Sequence, residues 1–275
     1  MLAPAGLVFL IFFAIPFLVM ATMSLLSANP LVQPNAEFTL RHYERMADDI
    51  YYYEVLWQTL RLGLLTTVLS LLLGYPLAFV LARMRSATGR TLVLMAVIAP
   101  MVMGLVVRTF AWLGMFSNRG LINTALQWLG LATEPVPFLG SEGAVVVALC
   151  HIYVPFMILT LTGVIARIDP RLEEAARGLG ATKVGAFLQV TLPLSAPGIL
   201  AGCLLVFALA ISAYVTPIVI GNYEIQTLPM LIFQQVNSSF NLGFAAALGV
   251  VLLVVALVLV FAYGRAMQRA ARGAM

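Results

Sequence analysis

The chain has 275 residues, of which 62% are hydrophobic and 9% charged, and a formal net charge of +4. A soluble domain of this length needs far more polar surface to cover one core, so the composition excludes a water-soluble enzyme or binding module and requires a membrane protein. Apolar runs of the roughly 20 residues that cross a bilayer as a helix recur about six times, which gives an all-α polytopic fold in a single domain, residues 1–275.

The first run extends from Ala5 to Leu26. No basic cluster precedes it, it outlasts the apolar core of a signal peptide, and Pro16 lies in its middle, so it reads as a retained span. The abrupt start, MLAPAGL, is expected to follow a longer cytoplasmic leader. An external loop from Ser27 to Gln58 carries HYERMADDIYYYEVLWQT, whose Tyr, Trp and Leu residues among charges predict an amphipathic segment at the outer interface. The second span is placed at Thr59 to Leu81 and the third at Thr91 to Met115. Arg108, inside the third, either meets an anionic group or extends its stem to the outer interface. A second external loop, Phe116 to Glu142, leads to the fourth span, Gly143 to Ala166. Cys150 and His151 fall within it; Cys203 falls in the fifth span, so both cysteines are read as small buried residues with no disulfide. His151 is read as a hydrogen-bonded packing residue, with an intramembrane enzyme as the alternative. The fifth span runs from Ala196 to Ile220. A third external loop, Gly221 to Gly243, precedes the sixth, Phe244 to Tyr263.

Basic residues orient these spans, because Lys and Arg in short loops resist translocation. Arg83, Arg85 and Arg90, then Arg167, Arg171, Arg177 and Lys183, then Arg265, Arg269 and Arg272 share one side. Both termini are therefore expected in the cytoplasm, and the positive charge needs no nucleic acid partner. The one lysine, Lys183, follows Thr182, so no Walker-type ATP site exists. His42 and His151 lack spaced partners for a metal, and Asp48, Asp49 and Asp169 all lie outside the spans.

Between the fourth and fifth spans, residues 167–195 form a charged, glycine-broken interruption. Asp169 is a good N-cap and Pro170 suits a first helical turn, so a short helix is predicted to about Leu179, closed by a left-handed Gly180. Leu172, Ala175, Ala176 and Leu179 place an apolar stripe on one face, and Glu173 and Arg177 are spaced to pair on another. Thr182 can cap a second short helix through Phe187 to Leu192, with Pro193 ending it. At the start of the fifth span, Gly198 and Gly202 have the G-x-x-x-G spacing that lets helices approach closely.

Glu174-Ala175-Ala176, Gly180, Val190 and Leu192-Pro193 match, position for position, the cytoplasmic signature of the permease subunits of binding-protein-dependent ABC importers, with valine for the more usual isoleucine. VRTFAWLGMFSNRGLINTALQWLGL, IYVPFMILTLTGVIARID and PLSAPGILAGCLLVFALAISAYVTPIVIG resemble the spermidine/putrescine-type branch of these permeases. The resemblance covers about residues 59–249. It implies a type I importer permease with a cytoplasmic coupling helix between helices 4 and 5, in a bacterial inner membrane. It also implies two copies of a cytoplasmic ATPase, which hold ATP and magnesium, a second homologous permease chain forming a heterodimer, and a periplasmic binding protein. In such a machine Glu174 faces the ATPase, Ala175 and Ala176 allow close approach, and Gly180 makes the turn. The chain itself is then no enzyme and carries no cofactor.

A polyamine such as putrescine or spermidine is the solute this branch implies, with an opine, an amino acid derivative or an aminophosphonate as alternatives. No carboxylate lies in the spans to attract a cation. A channel is disfavoured by the same lack of ring-forming carboxylates. Ala208, Ser212 and Thr216 recur every four residues, giving a small, weakly polar face that would line the conduit, with Tyr214 as a neighbour. The competing reading has Ser212 and Thr216 bonding back to carbonyls one turn earlier.

Overall fold

The computed structural model describes residues 6, 8, 10–27 and 37–273; the first five residues of the abrupt start and residues 28–36 of the first loop lie outside them. The helices, in chain order, are α1 (Ile15–Met23), α2 (Arg41–Asp48), α3 (Ile50–Arg83), α4 (Ala87–Val102), α5 (Leu105–Phe116), α6 (Leu121–Trp128), α7 (Glu142–Ile165), α8 (Pro170–Gly178), α9 (Lys183–Ala186), α10 (Ala196–Ile211), α11 (Val215–Ile220), α12 (Leu228–Asn237) and α13 (Leu242–Gly273). A π-helical turn, Phe187–Thr191, and a short helical turn, Leu192–Leu194, join α9 to α10. Contacts divide the chain into two compact units, Met1–Thr59 with Gln226–Met275, and Leu60–Ile225.

Among the described residues, three helices are long and apolar enough to cross a bilayer: Ile50–Arg83, Glu142–Ile165 and Leu242–Ala262. Two bent pairs raise the number to at most five, and the first expected span is represented by the shorter apolar stretch Leu10–Met23. The expected continuous third span is broken. Pro100 sits in the last turn of α4, Met103 and Gly104 are extended, and the chain turns by 95° into the next helical stretch. Proline cannot donate to the helical ladder, and the extended residues after it carry the chain off the axis. The fifth span is also broken, between Ile211 and Val215. Pro217 lacks the N–H that would bond the Ala213 carbonyl, so the helix cannot run through. A further bend of 62° separates Lys183–Leu194 from α10. There Pro193 does not end the helix as expected; it lies inside the turn Leu192–Leu194, and the break falls at Ser195, ahead of Pro197.

In the unit Leu60–Ile225 the core forms around α7, which is apolar on all sides. Val145, Leu149, Met157, Leu161 and Ile165 are fully covered, as expected of a helix surrounded by others. In a bilayer the lipid tails are as apolar as leucine, so close backbone approach and dense packing hold such helices together. Glycines provide that approach. A Cβ at Gly198 of α10 would lie 2.8 Å from Val164 Cβ, and one at Gly202 would lie 2.6 Å from Met157 Sδ. Gly74 of α3 likewise lies against Met157.

In the other unit, Phe244 of α13 is fully covered and gathers three side chains from the segment that follows the first apolar stretch. Tyr52 meets it edge-on at 5.4 Å, His42 is tilted at 5.9 Å, and the Arg45 guanidinium lies 4.8 Å over the ring. The amphipathic segment read from the sequence is split: α2 turns Met46 inward, whereas Ile50 onward already belongs to α3. Asp49 Oδ1 accepts from Tyr51 N at 3.0 Å and starts that helix.

The two glycine contacts on α10 differ in what they meet. Val164 is β-branched and stiff, whereas the Met157 thioether can turn aside. Gly198→Ala is expected to destabilise the detergent-solubilised chain by about 1–3 kcal/mol and Gly202→Ala by less; thermal unfolding measures both, and equal melting temperatures would contradict this packing.

Candidate functional site

Asp169 leaves the fourth span in an extended conformation and its Oδ1 accepts from Arg171 N at 2.9 Å, while Pro170 takes the first helical position. The far end of α8 is closed by Gly180 at φ +97°. Gly180 N donates to Arg177 O at 3.0 Å and Ala181 N to Ala176 O at 3.1 Å, the paired bonds of a Schellman closure. Nothing lies within 4 Å of a Cβ at Gly180, so its requirement is conformational and not steric. Thr182 Oγ1 then accepts from Gly185 N at 3.0 Å and opens α9.

None of the side chains of α8 is buried. The apolar stripe stands uncovered: Leu172 is 47% and Leu179 91% exposed. Glu174 and Ala175 are exposed beside them and Ala176 is half-buried. Val190 and Leu192 are half-buried and Pro193 is exposed, on the stretch leading to α10.

Glu173 corrects the expected pairing. It does not pair with Arg177; its Oε1 lies 2.9 Å from Arg83 Nη2 at the end of α3 and also accepts from the Thr191 hydroxyl. Arg83 Nη1 donates to Ile168 O at 2.8 Å. Phe79 and Tyr75, one and two turns earlier on α3, both meet the Phe187 ring edge-on. An open cleft of about 680 Å³, lined by Tyr75, Phe79, Arg83, Glu174, Lys183 and Phe187 among others, adjoins this cluster. Sequence reasoning missed these α3 residues. Their spacing of four, ending in an arginine, was the available signal.

The expected pathway residues are not brought together. Because the helix stops at Ile211, Ser212 and Thr216 do not share one helical face. Ser212 is exposed and its hydroxyl donates to Ala208 O at 2.8 Å. Thr216 is 1% exposed and its Oγ1 lies 3.1 Å from Thr109 Oγ1. Tyr214 is 39% exposed in the break itself. Arg108 on α5 reaches Ile152 O with Nη1 at 3.4 Å, while its buried Nε has no hydrogen-bond partner. His151 accepts from Trp112 Nε1 at 3.0 Å through Nδ1, and Cys150 and Cys203 are both free.

Residues 74–272 match the family described as binding-protein-dependent transport system inner membrane component. The chain is 33% identical to the spermidine/putrescine transport system permease protein PotB of Haemophilus influenzae over 258 residues, 94% of this chain and 90% of the relative. Its identity to the Escherichia coli protein of the same name is 32%, over 93% of this chain and 92% of that one. A crystal structure of a bacterial ABC transporter involved in the import of the acidic polysaccharide alginate shares the fold, with a TM-score of 0.76 at 24% identity, covering 98% of this chain and 94% of that one. With the capped, uncovered helix between its fourth and fifth apolar stretches, the chain belongs to the binding-protein-dependent inner membrane components and is a permease subunit of an ABC importer.

Proposed function

We propose that this chain is the moving conduit of an ATP-driven importer that receives a small polar organic solute, a polyamine or related amine, from a periplasmic binding protein. ATP and magnesium act on two copies of a separate cytoplasmic ATPase, and a second, homologous permease chain completes a heterodimer. The observation that carries this reading is α8: a helix closed at both ends by its own sequence, with an apolar face and Glu174 left uncovered. Such a face is formed to be covered by another protein, and the family's ATPase is the partner that fits it. Glu174, Ala175, Ala176 and the Gly180 turn would dock there, with Val190, Leu192 and Pro193 carrying movement into α10.

Relatives named for spermidine and putrescine support the amine. Arg108 favours a second reading, in which the solute carries an acidic group, as an opine, an amino acid derivative or an aminophosphonate does. Its Nε is buried without an acceptor, and an unpaired cation at membrane depth is costly. Ser212 and Tyr214, exposed at the break in the fifth span, would also face the conduit, whereas Thr216 is buried against Thr109. Uptake of labelled putrescine against labelled acidic amino acid derivatives, with the cognate binding protein present, separates the two readings.

The coupling role is tested at two positions. Gly180→Val places a β-branched residue at φ +97° and is expected to cut uptake about ten-fold while the chain still inserts, because such a residue is a poor fit to the left-handed region. Glu174→Ala is expected to weaken co-purification of the ATPase. Normal uptake and normal co-purification in both variants would overturn the assignment.

Orientation is tested by cysteines in a background lacking Cys150 and Cys203. With both termini cytoplasmic, a cysteine at Leu131 should react with an impermeant thiol reagent applied from outside and one at Ser86 should not. The reverse pattern would invert the topology.

A further inference from the structure

Glu173 stands beside Glu174 in the chain and makes different contacts. Its carboxylate is engaged by Arg83 and Thr191, whereas Glu174 is exposed. We propose that Glu173, anchored on Arg83, is the positioning residue that makes α3 move with the coupling segment, so that the ATPase acts on two helices and not on α10 alone. This rests on α8 being the coupling element.

Three residues of α3 spaced by four, Tyr75, Phe79 and Arg83, form one stripe, and together they hold the segment at several points. Arg83 bonds the Ile168 carbonyl just ahead of α8 with one arm, at 2.8 Å, and Glu173, one turn into α8, with the other, at 2.9 Å. A guanidinium is a rigid planar fork, so two such bonds fix the direction of α8 as well as its position. The Thr191 hydroxyl donates to the same carboxylate oxygen and ties in the π-helical turn before α10. Phe187 in that turn is met edge-on by Tyr75 at 5.7 Å and Phe79 at 5.4 Å. Ser195, at the 62° bend, donates its hydroxyl proton to Leu192 O at 2.9 Å, so it receives the Tyr75 hydroxyl at 2.8 Å as an acceptor.

The geometry has one mechanical consequence. A push on α8 could be absorbed by rotation about the Gly180 turn or by opening the Ser195 bend; α3 holds the chain on both sides of the first, at Glu173 and Phe187, and holds the second at Ser195. The Arg83 and Glu173 side chains are only 20% and 23% exposed, so salt and water weaken the tie less than they would a surface pair. Glu174 is free for docking because Glu173 supplies the internal link.

The test uses the assembled complex in proteoliposomes with loaded binding protein, and reads solute imported per ATP hydrolysed at equal amounts of complex. Arg83→Lys keeps the charge but loses the fork, and Glu173→Gln keeps the shape but loses the charge. Each is expected to lower that ratio about ten-fold, the scale of one charge-assisted hydrogen bond. Arg90→Gln, an exposed arginine of α4 outside the coupling segment, is expected to leave the ratio unchanged. An unchanged ratio in Arg83→Lys and Glu173→Gln overturns the proposal, whether both rates are kept or both fall together as for a merely structural contact. Failure of the importer reading would show differently, as unsubstituted complex that imports no solute when ATP is supplied.

Discussion

A nine-residue helix that buries none of its side chains holds its shape only if its ends and one side are held by something else. Isolated helices of that length are marginal in water. Here Asp169 satisfies the first turn, the Gly180 closure satisfies the last, and Arg83 holds the carboxylate of Glu173. Because those three points lie at the ends and on one side, the remaining face needs no contact within the chain and stays open. The exposed Leu172, Leu179 and Glu174 therefore follow from how the helix is held.

The membrane imposes the complementary constraint that every backbone or side-chain polar group be satisfied locally. Thr67 Oγ1 bonds Gly63 O at 2.7 Å, Thr162 Oγ1 bonds Ile158 O at 2.7 Å, and Thr109 and Thr216 meet each other. The helix interruptions occur where proline removes a donor, near Pro100, Pro197 and Pro217, and they divide the spans into shorter rigid pieces. Buried atoms without a partner remain among the described residues, Thr66 Oγ1 and Arg108 Nε among them, and of these two only Arg108 carries a charge. A solute is one source of an acceptor for it, and this gives the acidic-solute reading its physical basis.

What was legible in the sequence was local. Asp169-Pro170, Gly180 and Thr182 each act within a few residues of their own position, so residue type and spacing were enough to place them. Glu173 was misread for the same reason. Helical spacing offered Arg177 as its partner, and nothing local announced Arg83, ninety positions away. The face drawn through Ala208, Ser212 and Thr216 failed because periodicity was extended across a break that Pro217 enforces. Pro193 does not act as a stop because proline is tolerated in a first helical turn, and the chain bends two residues later.

The central claim is that α8 is the surface an ATPase covers, and hydrogen–deuterium exchange of the detergent-solubilised chain with and without its ATPase tests it most directly. Amides of residues 170–181 should become strongly protected when the ATPase is added, while those of α6, residues 121–128, should not change. Unchanged exchange across residues 170–181 in a complex that has demonstrably formed would contradict the account.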